Sequence, residues 1–170
     1  MTREPSGTLR EAAAELVERL LPVPTDEENA RALETAVREL NRYGITSFID
    51  ARVSEPEWRA YRVLDRAGRL SARVVTSLTY GLWSDHAGAE FDAVLARRAE
   101  YASARVRTDS VKIFLDGVLE GDTAALLEPY IGRGAFTGEL AIEAPPLAEA
   151  VARFDALGLQ IHLQIGRAHV

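Results

Sequence analysis

The chain alternates short β-rich runs with segments of helical period, and this alternation limits the folds open to it. The runs are rich in Val, Ile, Thr, Phe and Tyr, which favour strands. In the segments between them, apolar residues recur every three or four positions. The four runs are ITSFID (45–50), ARVVTSLTY (72–80), SVKIFL (110–115) and LQIHL (159–163). Strands that alternate with helices through short connections predict βαβ units, a parallel sheet and an α/β fold.

The helical segments carry their own start and stop signals. Capping boxes, in which Ser or Thr precedes Glu by three positions, begin at Thr8, Thr25 and Ser54. Helices are expected to stop at the glycines Gly44, Gly68 and Gly158. The alternation fits both a doubly wound sheet and a barrel. No G-x-G-x-x-G follows any predicted strand, which argues against a dinucleotide-binding domain.

Composition excludes several classes of function. At 170 residues the chain is long enough for one domain with its own core. A net charge of -6 without a basic block argues against nucleic-acid binding. No apolar run approaches the roughly 18 residues of a membrane span, so no membrane partner is expected. With no cysteine, the chain has neither disulfides nor thiolate metal ligands, and a cytoplasmic location is the expectation.

Lys112 is the only lysine in the chain, whereas the other nineteen of the twenty Lys and Arg residues are Arg. It lies between Val111 and Ile113 in the third predicted strand, where an unpaired ammonium group would be costly to bury. One interpretation is a lysine that reaches water or pairs with Asp116. Alternatively, its amine reacts, either as a Schiff-base nucleophile or by capturing CO2 as a carbamate that binds divalent metals. Arg can do neither.

The order of several motifs resembles the amidohydrolase superfamily, and in particular its amidohydrolase-3 branch, which includes N-substituted formamide deformylases. The motifs are EPSGTLREAAAELV (4–17), GITSFIDA (44–51), VKIFLDGVLEGDTAALLEPY (111–130) and LQIHL (159–163). The resemblance implies a partial (β/α)8 TIM barrel in which the four strands are roughly barrel strands two to five. A complete barrel needs about 250 residues, so the chain is expected to be an internal fragment.

The resemblance also implies metal-binding positions. A family lysine on the fourth strand, carbamylated in many members, matches Lys112. The family histidine that closes the fifth strand falls at Gln164, and His162, two residues earlier on the same strand face, is a substitute candidate ligand. The first-strand HxH pair would precede Met1, and a later histidine and a proton-shuttling aspartate would follow Val170. One or two divalent metals, with zinc as the expected ion, are the cofactor that the resemblance implies for the intact protein.

Several polar residues near the strand ends are further candidates. Asp116 is a candidate catalytic residue, and Glu120 and Thr123 match the family pattern in a substrate-side loop. Asp50 is expected at the rim of the active site with them. The alternative for Asp50 and Asp116 is helix capping and turn formation. If 110–115 is a strand, Lys112, Phe114 and Asp116 face the barrel lumen, while Val111, Ile113 and Leu115 face the helices.

The last residues, QIGRAHV (164–170), replace the family sequence His-Ala-Ile-Gly-Asp. They equal the translation of a common sequencing adapter in one frame, which suggests a foreign tail. We therefore divide the chain into a partial amidohydrolase barrel domain, 1–163, and a foreign tail, 164–170. A fragment with open sheet edges is also expected to aggregate or form homodimers.

The expected function follows from the family. The intact protein is predicted to hydrolyse a non-peptide C–N bond of a small amide or formamide substrate with a metal-activated water. The fragment itself is expected to be inactive. Two other classes stay open, namely a barrel-type lyase that forms a Schiff base at Lys112, and a non-catalytic α/β module in which Lys112 is structural.

Overall fold

The computed structural model describes residues 12–81, 84 and 87–166, together with Gly7 and Leu9. Two helices precede the first strand, and one α-helix lies between each pair of successive strands. The α-helices and strands are, in order, α1 (Ala12–Glu18), α2 (Asp26–Arg42), β1 (Ser47–Val53), α3 (Glu55–Arg66), β2 (Arg73–Tyr80), α4 (Gly88–Ala96), β3 (Val106–Phe114), α5 (Ala144–Ala156) and β4 (Gln160–Gln164). Short 3-10 turns span Arg98–Glu100 and Leu119–Gly121.

The four strands form one parallel sheet in the order β1-β2-β3-β4. A doubly wound sheet reverses its strand order at a switch point, whereas this order follows the chain throughout. The sheet curls into a half-barrel, which confirms the predicted α/β fold and partial (β/α)8 barrel. Irregularities in the strand pairing lie between Asp50 and Val53 in β1 and between Val75 and Ser77 in β2.

The outer face of the sheet packs on the helices. Trp58 of α3 is fully buried there, and its indole Nε1 donates to Thr76 Oγ1 at 2.8 Å. Phe154 of α5 is also fully buried and meets the ring of Tyr80 edge-on, with the centroids 5.0 Å apart. This core includes Val53 of β1, Leu78 of β2, Val111 and Ile113 of β3, and Leu115 directly after β3. The prediction that Val111, Ile113 and Leu115 face the helices is therefore confirmed.

The predicted helix caps agree with the structure where it describes them. At Thr25 the side chain accepts from the Glu28 amide at 3.2 Å, and Glu28 accepts from the Thr25 amide at 2.9 Å. Ser54 and Glu57 form the second capping box. The box predicted at Thr8 lies outside the described residues.

Strand boundaries differ from the sequence prediction mainly in β1 and β3. β3 begins at Val106 rather than Ser110, because Arg107 and Asp109 interrupt the apolar run while keeping strand conformation. β1 continues to Val53, so Asp50 lies within the strand and not at its end. Among the described helices, none combines the length and the apolar character needed to cross a bilayer.

Candidate functional site

Three polar residues form one row across the inner face of the half-barrel. Lys112 of β3 is the register partner of Thr79 in β2 and of His162 in β4. Residues on either side of them, Leu78 and Ile113 among others, face the helix side. Because side chains alternate along a strand, Thr79, Lys112 and His162 point into the lumen from three adjacent strands about 4.8 Å apart. We call these three residues the lumen row.

Lys112 is buried without an acidic partner among the described residues. Its residue surface is 5% exposed, and its Nζ atom lies 4.8 Å from the centroid of the Phe114 ring. Burial lowers the pKa of the Lys112 ammonium group, because the charged form loses hydration. Of the two structural roles that the sequence left open for Lys112, access to water or an ion pair with Asp116, the described residues do not show the ion pair. A lysine in this environment has a larger fraction of reactive neutral amine.

The two neighbours of Lys112 in the lumen row supply further polar atoms. Burial, followed by the positive charge of Lys112, lowers the pKa of His162. A lowered pKa favours the neutral imidazole, which is the form that binds metal. Thr79 is 3% exposed, and within the described part of the chain its Oγ1 has no hydrogen-bond partner. Buried hydroxyls without a partner are uncommon in folded proteins, so Thr79 Oγ1 stands out as a polar atom on the lumen face.

The lumen row fits one side of a divalent metal site. His162 offers a ring nitrogen, and Lys112 would offer carboxylate oxygens once its amine carries CO2. Across the described residues, no three His, Asp or Glu side chains come close enough together to hold a metal ion. Since a catalytic zinc site has three protein ligands, the lumen row supplies only part of such a set.

The rows on either side of the lumen row continue its polar character. Ser77 and Ser110 share a hydrogen bond between their hydroxyls at 2.8 Å on the side of the strand amino termini. On the other side, Gln164 is the register partner of Phe114, so it lies on the same face of β4 as His162. Gln164 Nε2 donates to the Gly117 carbonyl at 3.5 Å. Position 164, to which the family resemblance assigns a ligand histidine, therefore lies at the carboxyl end of β4 on its lumen face.

Asp116 follows β3 and is 1% exposed. Its Oδ2 atom accepts from the Ala125 amide at 2.8 Å, and both carboxylate oxygens accept from the Gly166 amide at 2.7 Å. Backbone amides of two different segments thus donate to the carboxylate of Asp116, which the sequence proposed as a catalytic candidate. These contacts correspond to the turn-forming role that the sequence left open for Asp116.

The segment 117–143 is a folded loop in which backbone and side chains bond to each other. Thr123 Oγ1 accepts from the Val118 amide at 2.9 Å, and Tyr130 donates from its hydroxyl to the Ala124 carbonyl at 2.9 Å. The rings of Tyr130 and Phe136 stack with centroids 5.9 Å apart. Glu120 is exposed in the turn Leu119–Gly121, whereas Thr123 is half-buried beneath it.

Asp50 lies apart from the lumen row. Its carboxylate accepts from the Tyr61 hydroxyl of α3 at 2.9 Å and lines a small cavity with Asn29, Leu33 and Glu57. This cavity is on the helix side of β1, and burial there raises the pKa of Asp50. Of the predicted site residues, Lys112 and His162 therefore lie side by side on the lumen face. Asp116, Glu120 and Thr123 lie at and beyond the carboxyl end of β3. Asp50 lies on the opposite face of the sheet.

Sequence reasoning missed Thr79 and the serine pair below it. The signal was present in ARVVTSLTY (72–80), where Ser77 and Thr79 alternate with Leu78 and Tyr80. That period of two assigns the polar residues to the face opposite the helices.

The fold and the lumen row can be compared with known proteins. Residues 1–166 match the sequence model of the amidohydrolase family. The structure is similar to that of an uncharacterized metal-dependent hydrolase from Pyrococcus furiosus, with a TM-score of 0.71 and 25% identity over 92% of this chain. A second such hydrolase, from Pyrococcus horikoshii OT3, gives a TM-score of 0.66 and 25% identity over 90% of the chain. The chain spans only 32% and 30% of these two proteins. No curated protein matches it significantly.

Proposed function

Because the chain belongs to the amidohydrolase family, we propose that it forms part of the catalytic barrel of a longer metal-dependent hydrolase. The observation that carries this proposal is the Lys112 amine, which is buried on the lumen face without an acidic partner among the described residues. Both structural neighbours are named metal-dependent hydrolases and are about three times longer than this chain.

In this proposal Lys112 would be carboxylated and would hold a divalent metal, for which zinc is proposed. The reaction converts the neutral amine and CO2 into a carbamate and releases one proton. His162 is the neighbouring donor, and Thr79, whose hydroxyl has no hydrogen-bond partner among the described residues, faces the same region of the lumen. When bound, the metal lowers the pKa of a water molecule to about 7 and polarises a carbonyl group.

The proposed reaction is hydrolysis of a non-peptide C–N bond in a small amide or formamide. The loop 117–143 would shape the substrate side of the pocket, because it follows the carboxyl end of β3, where barrel enzymes bind their substrates. Among the exposed polar side chains of this loop, Glu120 is the one that is proposed to contact substrate. Thr123 would hold the turn beneath it through the Val118 amide.

The experiment that tests this role examines the chemical state of Lys112 in a longer protein that contains residues 1–163. We expect a carbamate carbon signal in 13C NMR after incubation with 13C-bicarbonate and metal, and we expect the Lys112→Arg variant to lack it. Borohydride trapping of a carbonyl substrate on Lys112 would instead support the Schiff-base lyase. Absence of both modifications, with full turnover in the variant, would contradict the proposal.

A further inference from the structure

Two neighbouring rows of polar side chains on β2 and β3 differ in how their hydroxyls are satisfied. In the row nearer the strand amino termini, Ser77 and Ser110 are buried, and their hydroxyls bond to each other at 2.8 Å. In the lumen row, Thr79 is buried beside its register partner Lys112. The Oγ1 atom of Thr79 has no hydrogen-bond partner among the described residues. The same two strands therefore pair the hydroxyls of one row and leave the Thr79 hydroxyl of the next row without a protein partner in the described part of the chain.

The free amine of Lys112 does not satisfy this hydroxyl. The Lys112 Nζ atom lies 4.8 Å from the centroid of the Phe114 ring, two residues further along β3. The lysine side chain thus extends along the lumen toward Phe114. An ammonium group is also a donor only, so it offers no acceptor to the Thr79 O–H. The hydroxyl is a donor that the uncarboxylated lysine leaves unused.

Carboxylation of Lys112 would bring acceptors to this place. Nζ forms a bond to the carbon of CO2 and loses one proton to water, so that the neutral amine becomes an anionic carbamate with two oxygens. Such a group has about four acceptor positions, as a carboxylate does, and bound metal takes up only some of them. Because Lys112 is buried, the remaining positions need a donor from the protein. The Thr79 hydroxyl is such a donor on the adjacent strand, about 4.8 Å away.

The backbone holds Thr79 in place before any carbamate forms. Thr79 pairs with Lys112 in the parallel ladder, and Tyr80 pairs with Ile113. The Thr79 carbonyl oxygen also accepts from the Ser84 hydroxyl at 2.8 Å. A threonine side chain has few χ1 rotamers on a strand. Since the hydroxyl is already positioned, little freedom is lost when it binds an acceptor.

We infer that Thr79 is a positioning residue whose hydroxyl donates a hydrogen bond to a carbamate oxygen of carboxylated Lys112. This inference rests on the proposed function, because only the carbamate supplies the acceptor. The hydrogen bond has a charged acceptor and is therefore stronger than one between neutral groups. It stabilises the carboxylated form of Lys112 over the free amine, and it orients the two oxygens that would hold metal.

The bicarbonate dependence of carboxylation tests the inference in a longer protein that contains residues 1–163. The carbamate signal is measured by 13C NMR over a series of 13C-bicarbonate concentrations at a fixed Zn2+ concentration. We expect Thr79→Val to need at least about tenfold more bicarbonate than the wild type for a half-maximal signal, because valine has the shape of threonine but no donor. Thr79→Ser keeps the hydroxyl and should behave like the wild type.

Ser77→Ala is the matched control in the neighbouring row. It removes a lumen hydroxyl and leaves Ser110 without its partner, so it should lower the melting temperature of the metal-free protein and leave the bicarbonate dependence unchanged. Thr79→Val should do the reverse. It replaces an unpaired buried hydroxyl by a methyl group, so the metal-free protein should melt at the same or a higher temperature. A purely structural hydroxyl at position 79 would not give this pattern.

The contrary outcomes separate the inference from the proposed function. If the wild type forms no carbamate at any bicarbonate concentration, both are wrong. If the wild type forms it and Thr79→Val forms it at the same bicarbonate concentration, only the inference is wrong. A Thr79→Val protein that melts earlier or fails to fold would show that the hydroxyl supports the fold, which also overturns the inference. Loss of Zn2+ affinity in Thr79→Val that persists in CO2-free buffer would make Thr79 a ligand of the metal and overturn it as well.

Discussion

At the scale of single residues, the burial of Lys112 in the sheet is unfavourable for stability. Its ammonium group is buried against Phe114, and among the described residues no acid neutralises it. Natural sequences keep such costly groups where they serve a function, so the unfavourable burial itself supports a reactive role for Lys112.

Replacing Lys112 by Met should stabilise the chain at neutral pH by about 1 kcal/mol, because a methionine buries a similar volume without a charge. Since the native pKa of Lys112 lies below its unfolded value of about 10.4, the native state releases this proton first as pH rises. Wild-type stability should therefore increase with pH through that window, and the advantage of Lys112→Met should shrink. Urea denaturation of both proteins at several pH values tests this; a constant difference would contradict it.

Asp50 gives the opposite dependence on pH. Its native pKa is raised mainly by burial, so the folded state holds the proton more tightly than the unfolded state, whose pKa is about 3.9. The carboxylate then costs stability once pH rises above the native pKa. Asp50→Asn should raise the free energy of unfolding at pH 7 by about 0.5–1 kcal/mol, with no gain near pH 3.

The amide in Asp50→Asn can still accept from Tyr61, so the variant isolates the effect of the charge. Asp155→Asn, on the exposed face of α5, is the control for the chemical change and should leave the free energy of unfolding at pH 7 nearly unchanged. A stability loss at pH 7 in Asp50→Asn would show that the ionised carboxylate is needed.

At the scale of elements, the packing of α5 on the sheet is concentrated in one aromatic side chain. Phe154 is fully buried and contacts Tyr80 and Phe91, with ring centroids 5.0 and 6.0 Å away. Phe154→Ala should lower the free energy of unfolding by about 3–5 kcal/mol through lost burial and a cavity. Leu157, at the C-cap of the same helix, is 45% exposed. Leu157→Ala should therefore change the free energy of unfolding by less than about 0.5 kcal/mol. Chemical denaturation of both variants checks the contrast.

The elements also show what a sequence can predict. The alternation in SVKIFL predicted both faces of β3 correctly, because Val111 and Ile113 are in the helix-side core while Lys112 faces inward. The same alternation of faces along β1 could have predicted that Asp50 lies on the helix side, because Asp50 shares its strand face with Phe48. The irregular pairing after Asp50 and the extension of β1 to Val53 depend on tertiary pairing with β2, which local sequence does not encode.

The site was harder to predict than the strands. Lys112 stood out by residue type, and Thr79 could have been found from its strand pattern. The hydrogen bonds of Asp116 could not, because their donors are backbone amides at Ala125 and Gly166, about ten and fifty residues away. Backbone amides carry no residue-specific signal, and only the folded loop brings them to the carboxylate.

At the scale of the whole molecule, the described sheet ends at β1 and β4, and both outer strands carry exposed apolar side chains. Ile49 is 50% exposed and Leu163 is 42% exposed. Unpaired strand edges pair readily with other chains, so we expect the isolated chain to dimerise or aggregate. Sedimentation velocity over a range of concentrations measures this, and a sharply melting monomer at high concentration would contradict it.

The origin of residues 164–170 stays a prediction, and residues 167–170 lie outside the described part of the chain. The nucleotide sequence of the source decides it. Codons that match the adapter, followed by TGA, would identify a foreign tail; any other codons or terminator would rule it out.

The central claim is that Lys112 belongs to the metal centre of a hydrolase that extends beyond this chain. The most direct test is metal analysis after dialysis, with an assay on N-formyl and N-acyl amines, for residues 1–170, for a longer protein that contains residues 1–163, and for the longer protein with Lys112→Met. We predict stoichiometric metal and turnover in the longer protein only, since the lumen row supplies too few ligands alone. One tightly bound zinc with turnover in residues 1–170, or full metal and turnover in Lys112→Met, would contradict the account.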